Sequence, residues 1–161
     1  MFKIKLLILL LSNLFLYACI KNELNYQNKF SLAYIGGEYD GLLLKNLLST
    51  NLHSFGLLDE SSNYEIVSNI SHSTNIFITN IDNTSDREKV STNLTVEIIN
   101  NNLECSIKKM TFDTSQFYIY ATSDKFISNQ SAVKKIKREN TETLVKQFIN
   151  ELRYLNLRCN E

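Results

Sequence analysis

The sequence predicts an α+β fold: an antiparallel sheet of about four strands with two helices packed on one face, in the order β-α-β-β-β-α. Two stretches of apolar residues at helical spacing and one run of strict alternation carry that expectation. Phe30 to Ile35 reads as a strand closed by Gly36-Gly37. Leu43, Leu44, Leu47, Leu48, Leu52 and Phe55 then recur at helical spacing, with Asp40 as N-cap and Gly56 as the left-handed residue that ends the helix, roughly 40–55. Tyr64, Ile66, Ser68 and Ile70 alternate, and Ile76 and Ile78 resume the pattern after a polar patch read as a bend around His72. Asn80 to Asp86 is rich in turn residues. Val90, Thr92, Leu94, Val96 and Ile98 alternate cleanly, and Asn100-Asn101-Asn102 suits a hairpin tip. The next strand runs through Ile107, Met110 and Phe112 to Tyr120, with a shift of alternation that predicts a bulge near Lys109. From about Asn129 the chain is helical, with a stripe of Leu144, Val145, Phe148, Ile149, Leu152 and Leu155. Two apolar helix stripes need a common surface, and one face of a sheet buries both.

The N-terminus reads as a targeting segment rather than as part of the fold. Lys3 and Lys5 precede an apolar run from Leu6 to Leu16, and Ala18 stands before Cys19. The run is 11 residues long, whereas a spanning helix needs about 20. The layout is that of a secretory signal peptide, and Leu16, Ala18 and Cys19 resemble the lipobox of bacterial lipoproteins. Residues 1–18 are therefore expected to be a leader, Cys19 an acylated N-terminus, 19–29 a polar tether and 30–161 a single α+β domain.

Composition excludes several function classes. Beyond the leader the chain carries 15 basic and 17 acidic side chains, far from the basic excess of a nucleic-acid binder. Four glycines cannot supply a dinucleotide fingerprint, and no phosphate-cradling loop is present. Asp82, Thr84 and Asp86 lack the glycine and distal glutamate of a calcium loop. His53 and His72 stand in no catalytic motif, and two cysteines without nearby histidines do not make a zinc site. Neither catalysis, a cofactor nor a metal is expected. With Cys19 acylated, Cys105 and Cys159 remain; a disulfide and two buried thiols both satisfy the sequence. The 20 asparagines are spread among regular apolar residues and form no low-complexity tract.

Residues 30–155 resemble the LPS-assembly lipoprotein LptE family in element order and in the character of each segment. The stretches that carry the likeness are TNIFITN (74–80), the hairpin REKVSTNLTVEIINNNLECSIKKMTF (87–112), and a final helix ending VKQFINELRYL. QFYIYATSDKF and SAVKKIKREN lead into that helix. The resemblance implies a non-catalytic outer-membrane protein, lipid-anchored on the periplasmic side. It would plug the lumen of an LptD-like β-barrel, help that barrel assemble and assist delivery of lipopolysaccharide. It also implies basic residues that hold lipid A phosphates. Lys134 and Lys135 match one such location, the other carries the uncharged Ile78-Thr79-Asn80, and charge alone adds Lys108 and Lys109. The lysines near the last helix's start would oppose its dipole, which marks them for attention. A lipid-anchored auxiliary subunit of an ABC-type envelope lipid transport system would share the anchor and the build. A secreted eukaryotic glycoprotein would instead carry glycans on Asn69, Asn83, Asn93 or Asn129.

Overall fold

The computed structural model describes residues 28–78, 86–119, 126–152 and 154–159. Within them run β1 (Ser31–Gly36), α1 (Glu38–Ser54), β2 (Tyr64–Ile78), β3 (Asp86–Asn100), β4 (Cys105–Ile119) and α2 (Phe126–Leu152). The α+β class and the β-α-β-β-β-α order are as the sequence predicts. The leader, Cys19, nearly all of the tether, most of the Asn80 to Asp86 turn and Tyr120 lie outside the described residues.

The four strands lie in sequence order across the sheet. Its β2–β3 and β3–β4 pairs are antiparallel and its β1–β2 pair is parallel, so the sheet is mixed, though mostly antiparallel. The reason is α1, which carries the chain back along the sheet so that β2 sets out in the direction of β1. The expected bulge is present: Ile98 pairs with Lys108 and Ile99 with Ser106, leaving Ile107 as the extra residue.

α1 begins two residues earlier than expected. Gly37 is its N-cap, at φ 112°, and no side chain caps the helix. A Cβ at that position would meet the Ile70 carbonyl oxygen at 2.6 Å, so only glycine fits. Asp40 is thereby released from the N-cap role and sits in the first turn. At the other end the Leu57 amide donates to the Leu52 carbonyl at 2.8 Å and the Gly56 amide to that of His53 at 3.0 Å. With Gly56 at φ 68° this is a Schellman stop.

Both helices pack on the same face of the sheet and against each other. Leu44, Leu48 and Leu52 from α1 meet Ile66 and Ile70 of β2, Leu94, Val96 and Ile98 of β3, and Leu144, Val145, Phe148, Ile149 and Leu152 of α2. The apolar stripe read on the last helix is therefore core. Phe148 is fully buried and meets Phe112 edge-on at 6.3 Å between ring centroids. Leu155 and Leu157 continue over this core, and Cys159 is joined to Cys105 with their Cα atoms 6.0 Å apart. Closing a loop of sequence separation 54 contributes about 4 kcal/mol on a chain-entropy account.

α2 starts at Phe126, three residues before the expected Asn129, because no glycine or proline interrupts the chain there. Lys134 and Lys135 therefore lie in the third turn, beyond the reach of the helix dipole's end charge, and the expected opposition does not arise.

Phe148→Ala should destabilise the protein by about 3–5 kcal/mol in chemical denaturation. A loss below about 1 kcal/mol would show that the stripe is not the organising core.

Candidate functional site

Element lengths create the site. The three long strands have 15 residues each and span about 50 Å, and α2 with 27 residues covers about 40 Å. β1 pairs only with Glu65 to Asn69 of β2, and α1 starts beside Ile70 and runs back from there. Two helices thus cover the half of the sheet near the Cys105 end, and α2 alone covers the other half. A cleft of about 620 Å³ opens where the second helix is missing, a size common for small-ligand sites.

The sequence changes character at the same boundary. On the helix-facing side of β3 the buried positions Val90, Leu94, Val96 and Ile98 are joined by Glu88 and Thr92. On α2 the face that carries Leu144 and Phe148 continues backward as Thr141, Asn140, Ile136 and Asn129, all buried. Asn140 is the hub. Its Nδ2 donates to the Val90 carbonyl at 3.3 Å and to Thr92 Oγ1 at 3.1 Å, while its Oδ1 accepts from Gln116 Nε2 at 2.9 Å. Thr92 Oγ1 also lies 2.8 Å from His72 Nδ1. Thr92 thus links the Asn140 amide to the His72 imidazole.

His72 is the main departure from expectation. β2 is continuous through the segment read as a bend, and the His72 side chain is 1% exposed. Alternation along the strand turns it under the helices. Its Nε2 points towards Asp40 Oδ2 at 3.7 Å, too far for a hydrogen bond, and is buried without a partner. Asp40 in turn pairs with Lys137 Nζ at 3.4 Å. Burial holds the imidazole below its ordinary value of 6.5; the Asp40 carboxylate pulls the other way and Lys137 adds to the lowering. A hydroxyl, an imidazole and a carboxylate stand in line here, but Thr92 is 2% exposed, so its hydroxyl is closed to a substrate.

Thr74 of β2, Glu88 of β3 and Tyr118 of β4 form the cleft floor, with Tyr39 and Asp40 on the α1 side. The α2 side presents Asn129, Gln130, Val133, Lys134 and Lys137. Glu88 is buried, and one of its carboxylate oxygens accepts from the Tyr118 hydroxyl.

The four lysines singled out from the sequence are not brought together. Lys134 lines the cleft. Lys135 is exposed and pairs with Glu139 at 3.7 Å one turn along, an arrangement worth little at a surface. Lys108 and Lys109 follow the bulge, and Lys109 stands opposite Glu97 in the strand register, beside Tyr34 on the face away from the helices. Asp40, His72, Glu88, Tyr118 and Asn140 were not anticipated. A signal for them existed: His72 and Thr74, Glu88 and Thr92, and Thr114, Gln116 and Tyr118 put polar residues at even positions of the three long strands, and Asn129 and Asn140 interrupt the apolar helix stripe. Among the described residues there is no cluster of metal-ligating side chains and no helix long and apolar enough to cross a membrane.

The face of the sheet away from the helices is uncovered. Asn69, Ser71, Ser73, Asn93, Thr111, Asp113 and Ser115 are exposed there, and Lys89 Nζ lies 5.8 Å from the centre of the Phe117 ring.

No family model matches the chain, and no curated protein matches it by sequence. Solved structures share its fold. A minor lipoprotein from Acinetobacter baumannii superposes with a TM-score of 0.60 at 18% identity, over 83% of this chain and 96% of its own. Rare lipoprotein B from Shewanella oneidensis gives a TM-score of 0.63 at 10% identity, over 79% of this chain and 95% of its own. The architecture is therefore one that bacterial lipoproteins use.

Two predictions follow from the polar interior. Asn140→Ala takes away the Gln116 amide's partner and one of Thr92's two partners, the other being His72, and should cost about 1–3 kcal/mol for a group left unpaired, read by chemical denaturation. An effect within about 0.5 kcal/mol would mean that the network is slack. Second, stability should depend on pH through His72. Above 6.5 the imidazole is neutral in folded and unfolded chains alike. Below that value the unfolded chain binds a proton that the folded one resists, so stability falls as the pH drops towards the depressed folded value. His72→Gln should flatten the slope of stability on the acid side of 6.5; an unchanged slope would assign it to other groups.

Proposed function

We propose that this protein is a non-catalytic, lipid-anchored outer-membrane subunit that seats inside an LptD-like β-barrel, supports its assembly and assists lipopolysaccharide insertion. The observation that carries the reading is the uncovered sheet face. Antiparallel sheets commonly leave one face to water, and here that face runs the length of three long strands, a broad surface open to a partner. That side is furnished mainly with hydroxyls, amides and a few charges, with Phe117 and Ile119 exposed at the end of β4. A barrel lumen is polar, and such a face can exchange hydrogen bonds with it without a large apolar footprint. The Leu16 to Cys19 lipobox supports an anchor, and the fold shared with solved lipoproteins agrees with it. Ile20 after the cysteine, in place of an aspartate, supports outer-membrane delivery. In this reading Lys134 is the cation that meets a lipid phosphate.

Two measurements test it. The membrane-extracted protein should begin at Cys19 and carry acyl mass; a bare thiol, or an N-terminus elsewhere, would remove the anchor. A photoreactive residue placed at Ser115, on the uncovered face, should crosslink in native envelopes to a large β-barrel. Recovery of an inner-membrane ABC transport component instead would favour the auxiliary-subunit alternative.

A further inference from the structure

Charge within the cleft does not balance at random. Asp40 and Lys137 stand 3.4 Å apart and neutralise each other. Among the described residues that leaves one acid, Glu88, and one base, Lys134, both lining the same cavity. Glu88 is only 9% exposed, and the Tyr118 hydroxyl occupies one of its oxygens. Its second oxygen has no partner among the described residues. That oxygen is not sealed from solvent; it opens to the cleft, where a donor on a ligand can reach it. Lys134 has no acidic partner among the described residues, and its ammonium asks for an anion.

Three ligand classes can be weighed against that pair. A simple anion satisfies Lys134 but meets the Glu88 charge in the same cavity. A neutral saccharide offers donors to Glu88 but leaves Lys134 with nothing to neutralise it. A ligand that carries both an ammonium and a phosphate satisfies both. The ammonium must bear N–H groups, because Glu88 and Thr74 offer oxygen acceptors, and the neighbouring ring of Tyr118 adds a favourable face for a cation.

We infer that the cleft binds a zwitterionic amino-phosphate headgroup of the phosphoethanolamine type, with its ammonium at Glu88 and its phosphate at Lys134. The inference rests on the reading of Lys134 as a phosphate-binding residue and adds the second half of the site. The cleft is large enough at about 620 Å³ for the headgroup alone, and it is open along its length, so acyl chains attached to the phosphate side can remain outside.

The test is calorimetric titration of the full chain in detergent with glycerophosphoethanolamine, glycerophosphocholine and glycerophosphoglycerol. Glycerophosphoethanolamine should bind roughly tenfold more tightly than the other two, the scale of one charge-assisted hydrogen bond to a desolvated carboxylate. Glu88→Gln keeps an acceptor for Tyr118 and should abolish that preference, whereas Lys134→Ser should weaken all three ligands together. Thermal midpoints of both variants, measured alongside, should match the parent. Equal affinity for the three compounds would overturn the zwitterion assignment while leaving Lys134 as a phosphate site. Absence of binding by all three would overturn both. Vesicles of phosphatidylethanolamine set against phosphatidylglycerol identify the source. Preferential retention on the first assigns the headgroup to a bilayer lipid, and a preference seen only with the soluble compounds assigns it to a free metabolite.

Discussion

The side chain of Asn140 ties this structure together. It is fully buried, sits on the helix that spans the whole sheet, and uses its amide nitrogen and oxygen at once to hold β3 and β4. On one side of it the helix–sheet interface is a dry core built from leucine, isoleucine, valine and phenylalanine. On the other side the same interface is polar and incompletely covered. A buried amide is costly unless fully bonded, so its presence fixes how α2 lies on the sheet. It also marks the line at which burial gives way to a cleft.

That line follows from chain economy. β1 is six residues long, so the helix it leads into begins near the middle of the sheet and covers only half of it. The long strands continue beyond the reach of α1 and must satisfy their helix-facing positions otherwise. They do so with threonine, histidine, glutamate, glutamine and tyrosine, which bond to one another and to α2. Asp40, displaced from the capping role by Gly37, supplies the bridge from α1 to this region through Lys137. The disulfide and the tail packing secure the opposite end, where the apolar core lies.

Much of the architecture was legible in the sequence because the apolar half obeys periodicity. Val90 to Ile98 alternate and are buried at every second position; Leu144 to Leu152 recur at helical spacing and are core. Gly56 reads as a helix stop and is one. The polar half was not legible, because periodicity methods follow apolar residues. His72, flanked by serines, reads as a bend, yet alternation continues through it and carries it inside. Lys134 was visible through its charge, but Glu88 and Asp40 were not, since a carboxylate in an alternating strand or a first helical turn usually faces water. The parallel β1–β2 pair was missed for a different reason: the expectation of an antiparallel sheet did not use the helix between these two strands, whose crossover makes adjacent strands parallel.

If the interior polarity serves the cleft rather than the fold, the fold should survive its removal. Replacing His72, Thr92, Gln116 and Asn140 together by leucine or valine removes every side chain of the network at once, leaving the Val90 carbonyl and the Asp40–Lys137 pair in place. Burying apolar groups of similar shape where a satisfied hydrogen-bond network stood is close to neutral or stabilising. Chemical denaturation of this variant should therefore give an unfolding free energy equal to or above that of the parent, within about 1 kcal/mol. A loss of several kcal/mol would contradict this view and make the polar half a structural requirement of the fold.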